Sequence, residues 1–345
     1  MDPIRQDATL LLDRLLSGAR QVSVVGHTHP DGDALGSVGA MTAYLAEKRG
    51  LTVRGIFPDT PPETLRFLCR EDFLYADAQR EVSLRFIGGS DLVILQDCNN
   101  FTRTEALAES LRASLATKIL IDHHLNPDRD AFRLVFSTPD VSSASELLYW
   151  ILLDLPDVTG DARNLPADCL ASLMAGMTTD TNNFANSVFP STLRMAGGLL
   201  AAGVDRDGIL DQLYHNYREN RVRGMGYFQN EGLHITGQGV AYMIATRSVI
   251  ERFDLREGET EGLVNVPLSI GKVRLSLFLK EDKGYFRVSI RSKRGTSAQQ
   301  LAVRYFHGGG HENASGGRLF FPEDIPSPEE AAAYIEQVSS AFLNE

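Results

Sequence analysis

The chain has 345 residues, of which 43% are hydrophobic and 23% charged, and its formal net charge is −11. That length exceeds one ordinary core and suits two domains, and no apolar run reaches the roughly 18 residues that a membrane span requires. The acidic balance excludes tight, sequence-independent binding of long duplex nucleic acid, which needs many phosphate contacts.

Residues 21–26 (QVSVVG) form a β-branched run that predicts a strand ending at His27, and residues 34–49 follow with helical spacing. Residues 51–57 predict a second strand. Residues 91–97 (DLVILQD) and 118–122 (KILID) are continuous apolar runs, as expected of strands buried on both faces, with helical residues 104–115 between them. Residues 142–154 predict a helix that Ser142 or Ser143 caps, with Glu146 completing a capping box. Residues 165–177 give a second apolar helix. Residues 191–202 and 205–223 give two more, broken by Gly203; the latter is polar enough to bridge two domains. Beyond about residue 226, residues 239–246, 273–280 and 285–291 alternate as strands do. A helix over 297–306, a glycine-rich loop, a strand near 319–321 and a closing helix from Pro328 complete the chain.

The expected fold class is therefore α/β. A mostly parallel N-terminal sheet flanked by helices (1–195) is joined by a helical linker (196–226) to a smaller α+β C-terminal domain (227–345). The opening MDPIRQDATLLLDRLL lacks a basic stretch followed by an apolar core, so no signal peptide is expected. Cys69, Cys98 and Cys169 are too few and too scattered for a disulfide framework or a zinc site, and a cytoplasmic location follows as the default.

Four segments carry chemistry. Residues 26–37 (GHTHPDGDALGS) leave a strand and open a helix, placing His27, His29, Asp31 and Asp33 where ligands of parallel sheets gather. A polar turn with Asp33 as helix cap accounts for one carboxylate; so many acidic groups beside a histidine would repel without a cation. Imidazole and carboxylate ligands suit Mn²⁺, or Mg²⁺ with fewer imidazoles. Asp97 and the Asp122, His123, His124 run each follow a strand predicted to be buried. Asp180, beyond the helix 165–177, is the fourth. A pair of cations held among these groups would neutralise phosphoryl oxygens and make water nucleophilic near neutral pH. No G-x-S-x-G elbow points to serine chemistry.

The second domain carries a local basic excess, with ten Lys/Arg against three Asp/Glu over residues 271–318. There Arg291, Ser292 and the run His307, Gly308, Gly309, Gly310, His311 suggest a cradle for a small anion. Arginine grips phosphate bidentately, and glycines let backbone N–H groups close on it.

Residues 26–37, Asp97, Asp122 to His124 and Thr179 with Asp180 resemble the four motifs of the DHH phosphoesterase superfamily. Arg291 and Ser292 with residues 308–317 resemble its DHH-associated C-terminal domain. The likeness covers nearly the whole chain and is most similar to the nanoRNase/pAp-phosphatase (oligoribonuclease) branch. It implies two divalent cations, Mn²⁺ before Mg²⁺: His27, Asp31 and Asp97 on one, and Asp33, Asp97, His123 and Asp180 on the other, with Asp97 bridging. It further implies His124 and Asp97 as the catalytic pair, and Arg103, Arg291, Ser292, Gly308, Gly309, Gly310 and His311 as substrate contacts. The implied substrate is short RNA or phosphoadenosine phosphate (pAp). The alternatives are a dinucleotide phosphodiesterase, a pyrophosphatase or exopolyphosphatase and, in another class, a non-catalytic nucleotide sensor. A homodimer is left open. Two positions depart from the family pattern: His307 stands in place of a glycine, and Thr181, Asn182 and Asn183 follow Asp180 where many members place one.

Overall fold

The computed structural model describes residues Gln6–Asn344, so the first five residues of the leader reading lie outside it. The chain divides between Asn216 and Tyr217 into two compact units.

In the first unit the strands are β1 (Gln21–Val25), β2 (Thr52–Phe57), β3 (Leu74–Tyr75), β4 (Leu92–Gln96), β5 (Thr117–Asp122) and β6 (Leu134–Ser137). All pair parallel, in the order β3-β2-β1-β4-β5-β6. Every residue of β4 is buried, which explains its unbroken apolar run. The helices are α1 (Gln6–Gly18), α2 (Gly32–Ala43), α3 (Ala76–Gly88), α4 (Ala108–Ala113), α5 (Ala144–Leu153), α6 (Ala167–Asp180), α7 (Pro190–Ala201) and α8 (Arg206–Tyr214). Strand order reverses at the β1/β4 boundary, and at such a switch point the loops leaving two adjacent strands part to form a crevice. His27 and Asp97 lie immediately beyond those two strands.

Helix α2 is buried along its whole length, as its run of small and apolar residues requires. It lies against α6 at backbone distance. A Cβ on Gly36 would sit 2.7 Å from both the Gly176 Cα and the Ser172 carbonyl oxygen. The paired glycines thus bring the start of α2, which bears Asp33, close to α6, which ends at Asp180.

The second unit contains α9 (Glu219–Asn230), α10 (Arg247–Arg252), α11 (Ala298–Tyr305) and α12 (Ala331–Leu343). Its strands are β7 (His234–Ile235), β8 (Val240–Ala245), β9 (Leu275–Glu281), β10 (Tyr285–Ser292), β11 (Gly309–His311) and β12 (Ala314–Phe320). They form a mixed sheet, β11-β12-β10-β9-β8-β7, in which only β8 and β9 run parallel. Phe286, Val288 and Ile290 of β10 pack with Leu301 of α11 and Ile335 of α12 on one face. Phe228 of α9, Met243, Phe278 and Leu263 form a second cluster.

Three elements differ from expectation. The helix over 104–115 is a 3₁₀ stretch, Phe101–Leu107, then α4, with a break at Glu105 (φ 36°). The Arg103 carbonyl accepts the Thr28 N–H at 2.8 Å, so a tertiary bond replaces the one that would continue a helix. The helix over 205–223 starts at its expected cap, Asp205, but divides into α8 and α9. Arg218 is extended between them and ion-pairs with Asp254 and Glu259. The expected glycine-rich loop includes a strand, because Gly309–His311 pairs with β12 as β11. A Cβ on Gly308 would lie 1.9 Å from the Gly316 carbonyl oxygen, so this glycine serves close backbone packing.

Gly36→Val should destabilise the first unit by about 1–3 kcal/mol or more, through overpacking against a rigid backbone. Gly88→Ala, whose added Cβ meets nothing within 4 Å, should leave stability nearly unchanged. Urea unfolding of the two variants checks the contrast.

Candidate metal centre

The loop leaving β1 holds His27 buried, with its Nδ1–H donating to the Thr28 carbonyl at 2.7 Å. A carbonyl only accepts, so Nδ1 carries the proton and Nε2 presents its lone pair. That Nε2 lies 3.3 Å from Asp97 Oδ2 and 3.8 Å from Asp31 Oδ1. Asp31, and not Asp33, caps α2, accepting the Asp33 and Ala34 N–H groups at 3.1 and 3.0 Å. Asp33 is buried. Its Oδ2 accepts the Ala144 N–H at 2.6 Å and its Oδ1 the Ser145 N–H at 3.0 Å, both from the first turn of α5.

Asp97 lies between these groups and the next strand. Its backbone is left-handed (φ 52°), a conformation Asp tolerates better than most residues and one that recurs where a side chain is aimed at a site. Its Oδ1 is 3.4 Å from His123 Nε2, and His123 Nε2 is 3.6 Å from Asp180 Oδ2. His124 also borders Asp97, with Nδ1 3.6 Å from its Oδ1: Nδ1–H donates to Asp122 Oδ1 at 2.7 Å, while Nε2 accepts from Arg103 Nη1 at 3.1 Å. Two sets of donor atoms without His124, His27/Asp31/Asp97 and Asp33/Asp97/His123, each lie within 4.8 Å of one another, and Asp97, Asp122 and His124 form another such group. Asp97 belongs to all three.

The electrostatics are those of a crowded anionic site. Burial pushes the Asp97 carboxyl up, yet the His123 and His27 rings, with His124, hold it well below the usual carboxylate range. Burial, followed by the Asp97 and Asp180 charges, pushes Asp33 well above that range. Burial pushes the His123 ring down, but Asp97, Asp180 and Asp33 lift it to about 10. Burial and Arg103 lower His27, and Asp97 with Asp31 outweigh them and raise it. A protonated His123 ring thus does part of the neutralising that a cation would do.

The donor set fits a hard-to-borderline divalent cation. His27 Nε2 and Asp97 Oδ1 are fully buried without hydrogen-bonding geometry to any described residue, despite their charged neighbours. Such orphaned atoms are costly unless an ion or water completes them. Cys98, next to Asp97, adds no thiolate: burial pushes its thiol up to about 12, and Sγ donates to the Asn100 carbonyl.

His29 lies outside both sets; it is exposed, and its N–H donates to Asp59 Oδ2 at 2.8 Å. Asp59 also accepts from the Thr28 hydroxyl and so ties down the loop that presents His27. No motif marks Asp59. Its one signal is its place just beyond the carboxyl end of β2. The first turn of α5 was likewise legible as a helix start but not as the holder of Asp33.

In the second unit, pairing sets Arg291 opposite Ala314 and Ala314 opposite His311, so Arg291 and His311 share one sheet face. Gly309 lies opposite Gly316, itself opposite Ser289, on that same face. Ser292 points the other way. It is buried, donates to the Thr296 carbonyl at 2.7 Å and accepts from Asn313 at 2.9 Å. Gly310, next along β11, also alternates away from the Arg291 face. His307 takes a left-handed conformation (φ 46°) where the family pattern has glycine.

Residues 21–177 match the DHH family, N-terminal domain, and residues 238–338 match the DHHA1 domain. The chain belongs to the DHH family. It is 29% identical over 303 residues to the bifunctional oligoribonuclease and PAP phosphatase NrnA of Thermus thermophilus, covering 86% of this chain and 84% of that protein. A crystal structure of an exopolyphosphatase-related protein from Bacteroides fragilis superposes with a TM-score of 0.91, at 31% identity and with 100% of both chains covered. A probable manganese-dependent inorganic pyrophosphatase of Streptococcus thermophilus is 27% identical over 162 residues, 47% of this chain and 48% of that protein. As a DHH protein the chain is a metal-dependent phosphoric ester hydrolase. Among the described residues no helix of this DHH protein is long and apolar enough to cross a membrane.

Mn²⁺ should raise the Tm of the wild type, since an ion bound only to the folded state adds about 2.7 kcal/mol per site at a hundred times Kd. Asp97→Ala should abolish most of that rise; differential scanning calorimetry with and without Mn²⁺ reads it. Binding at pH 8 should also release protons, because His123 holds one up to about 10 in the metal-free protein and a ligating imidazole is neutral. Calorimetric titration in buffers of different ionisation enthalpy should then give buffer-dependent heats.

Proposed function

We propose that this protein is a two-metal phosphoesterase that hydrolyses short oligoribonucleotides to mononucleotides and dephosphorylates pAp. The observation that carries the reading is Asp97, one buried carboxylate facing the donor atoms of two separate sets. His27, Asp31 and Asp97 would hold one divalent cation, and Asp33, Asp97, His123 and Asp180 the other, with Mn²⁺ preferred to Mg²⁺. Bound there, the cations would neutralise phosphoryl charge and supply a nucleophile from water near neutral pH.

The chain's own residues do the rest. Asp122 fixes the His124 ring through Nδ1 and Arg103 donates to its Nε2, so His124 and the Arg103 guanidinium would together face the scissile phosphate. Arg103 is anchored at its backbone by Thr28, so its position follows the metal loop. In the second unit, Arg291 and His311, on one face with the side-chain-free Gly309 and Gly316 beside them, suit a phosphate or a base laid flat on the sheet. Ser292 and Gly310 support that face from behind, and Gly308 lets β11 approach β12.

Likeness along most of the chain to an oligoribonuclease and PAP phosphatase favours short RNA and pAp. The pyrophosphatase likeness stops at about half the chain. A cytoplasmic location fits both substrates and the three unpaired thiols.

A panel of dinucleotides, pAp, pyrophosphate and a cyclic dinucleotide, with Mn²⁺, Mg²⁺ or chelator, tests this. Turnover of short RNA and pAp with Mn²⁺, and none with chelator, is expected. Pyrophosphate as the best substrate, or binding without turnover, would contradict it. Arg291→Ala should raise KM for dinucleotides about 10–100-fold, the worth of a charge-assisted phosphate contact, with a smaller change in kcat.

A further inference from the structure

One buried carboxyl beside the centre has no place in the ligand sets. Glu146, in the first turn of α5, is 0% exposed. Its Oε2 accepts the Ser142 N–H at 2.8 Å, the Ser142 hydroxyl at 2.6 Å and the Thr192 hydroxyl at 2.6 Å. Its Oε1 faces Trp150 Nε1 at 3.4 Å. Thr192, in the first turn of α7, also accepts the Phe189 N–H at 3.0 Å, so that hydroxyl is directed at both ends.

The donors at the start of α5 divide among three acceptors. Glu146 takes the Ser142 N–H, the Ser143 hydroxyl takes the Glu146 N–H at 2.9 Å, and Asp33 takes the Ala144 and Ser145 N–H groups. Buried backbone donors must be matched, so the attitude of this turn is fixed by where its acceptors sit. Glu146 fastens the turn to α7; the same turn grips both oxygens of Asp33. The chain of contacts runs from Thr192 through Glu146 and Ser142 to the helix start, and from there to Asp33.

We propose that Glu146 is a positioning residue for the Asp33-side cation: by pinning the first turn of α5 it sets both oxygens of a carboxylate it never touches. The inference rests on the reading that Asp33, Asp97 and His123 hold a cation. It carries an asymmetry. His27 and Asp31 come from the loop after β1 and the cap of α2, and neither hydrogen-bonds to α5, so the other cation should not sense Glu146.

The test is Mn²⁺ titration of the full chain, counting bound ions from the electron paramagnetic resonance signal of free Mn²⁺. Wild type should bind two. Glu146→Leu should weaken one binding step about 10–100-fold, the usual effect of losing a partner that orients a ligand, and leave the other unchanged. Asp33→Asn should abolish that same step. Glu146→Gln, which keeps an oxygen for the Ser142 N–H, should recover most of the loss. Thr192→Val, which removes a single donor, should give a smaller weakening and serves if the leucine variant does not fold. Tyr44→Phe removes a hydroxyl that bridges Arg49 and Asp157 in the same unit; it should lower Tm and leave both steps alone.

Folded Glu146→Leu or Thr192→Val with both steps at wild-type affinity would overturn the inference. So would equal weakening of both steps, or an equal effect of Tyr44→Phe. Wild type that binds no ion near Asp33 would overturn the cation reading itself, an outcome distinct from failure of Glu146 alone.

Discussion

Asp97 is a fully desolvated carboxylate with histidine rings on both sides, and the arrangement of the first unit follows from the need to hold it there. Charge of one sign taken out of water must be met by charge of the other, or the site would neutralise itself or unfold. The crossover at β1 and β4 brings His27 and Asp97 together, and β5, next in the sheet, brings His123 and His124. The glycine-mediated approach of α2 and α6 then closes the site with Asp33 and Asp180. Each contribution comes from a different segment, so the centre exists only in the folded unit.

The opposed shifts of Asp33 and Asp97 express one constraint. Two buried carboxylates, Asp33 and Asp97, cannot both adopt their ordinary state so close together and so far from water. One carboxyl is pushed toward its neutral form while another is held firmly charged by the histidine rings beside it. A divalent cation would resolve the conflict without a proton, which is the physical content of proposing a metal centre here.

Much of this was legible in the sequence. The apolar runs before His27, Asp97 and Asp122 marked buried parallel strands, and acidic and histidine residues directly after such strands marked a rim. Capping chemistry located α5, with Ser143 as the cap. What escaped was tertiary. The short edge strands β3 and β6 lack a distinctive run, and the helix expected over 104–115 yields because the Arg103 carbonyl is drawn to Thr28. The glycines at 308–310 read as a loop because sequence cannot show that Gly308 meets the backbone of Gly316. The role of Asp31 as helix cap, and the grip of α5 on Asp33, depend on which of two nearby aspartates turns inward.

The most direct measurement is anomalous diffraction at the manganese edge from a crystal of the full chain grown with Mn²⁺. The account predicts two peaks flanking the Asp97 carboxylate, one toward His27 and Asp31, the other toward Asp33, His123 and Asp180. A single peak remote from Asp97, or none among these residues at saturating Mn²⁺, would contradict it.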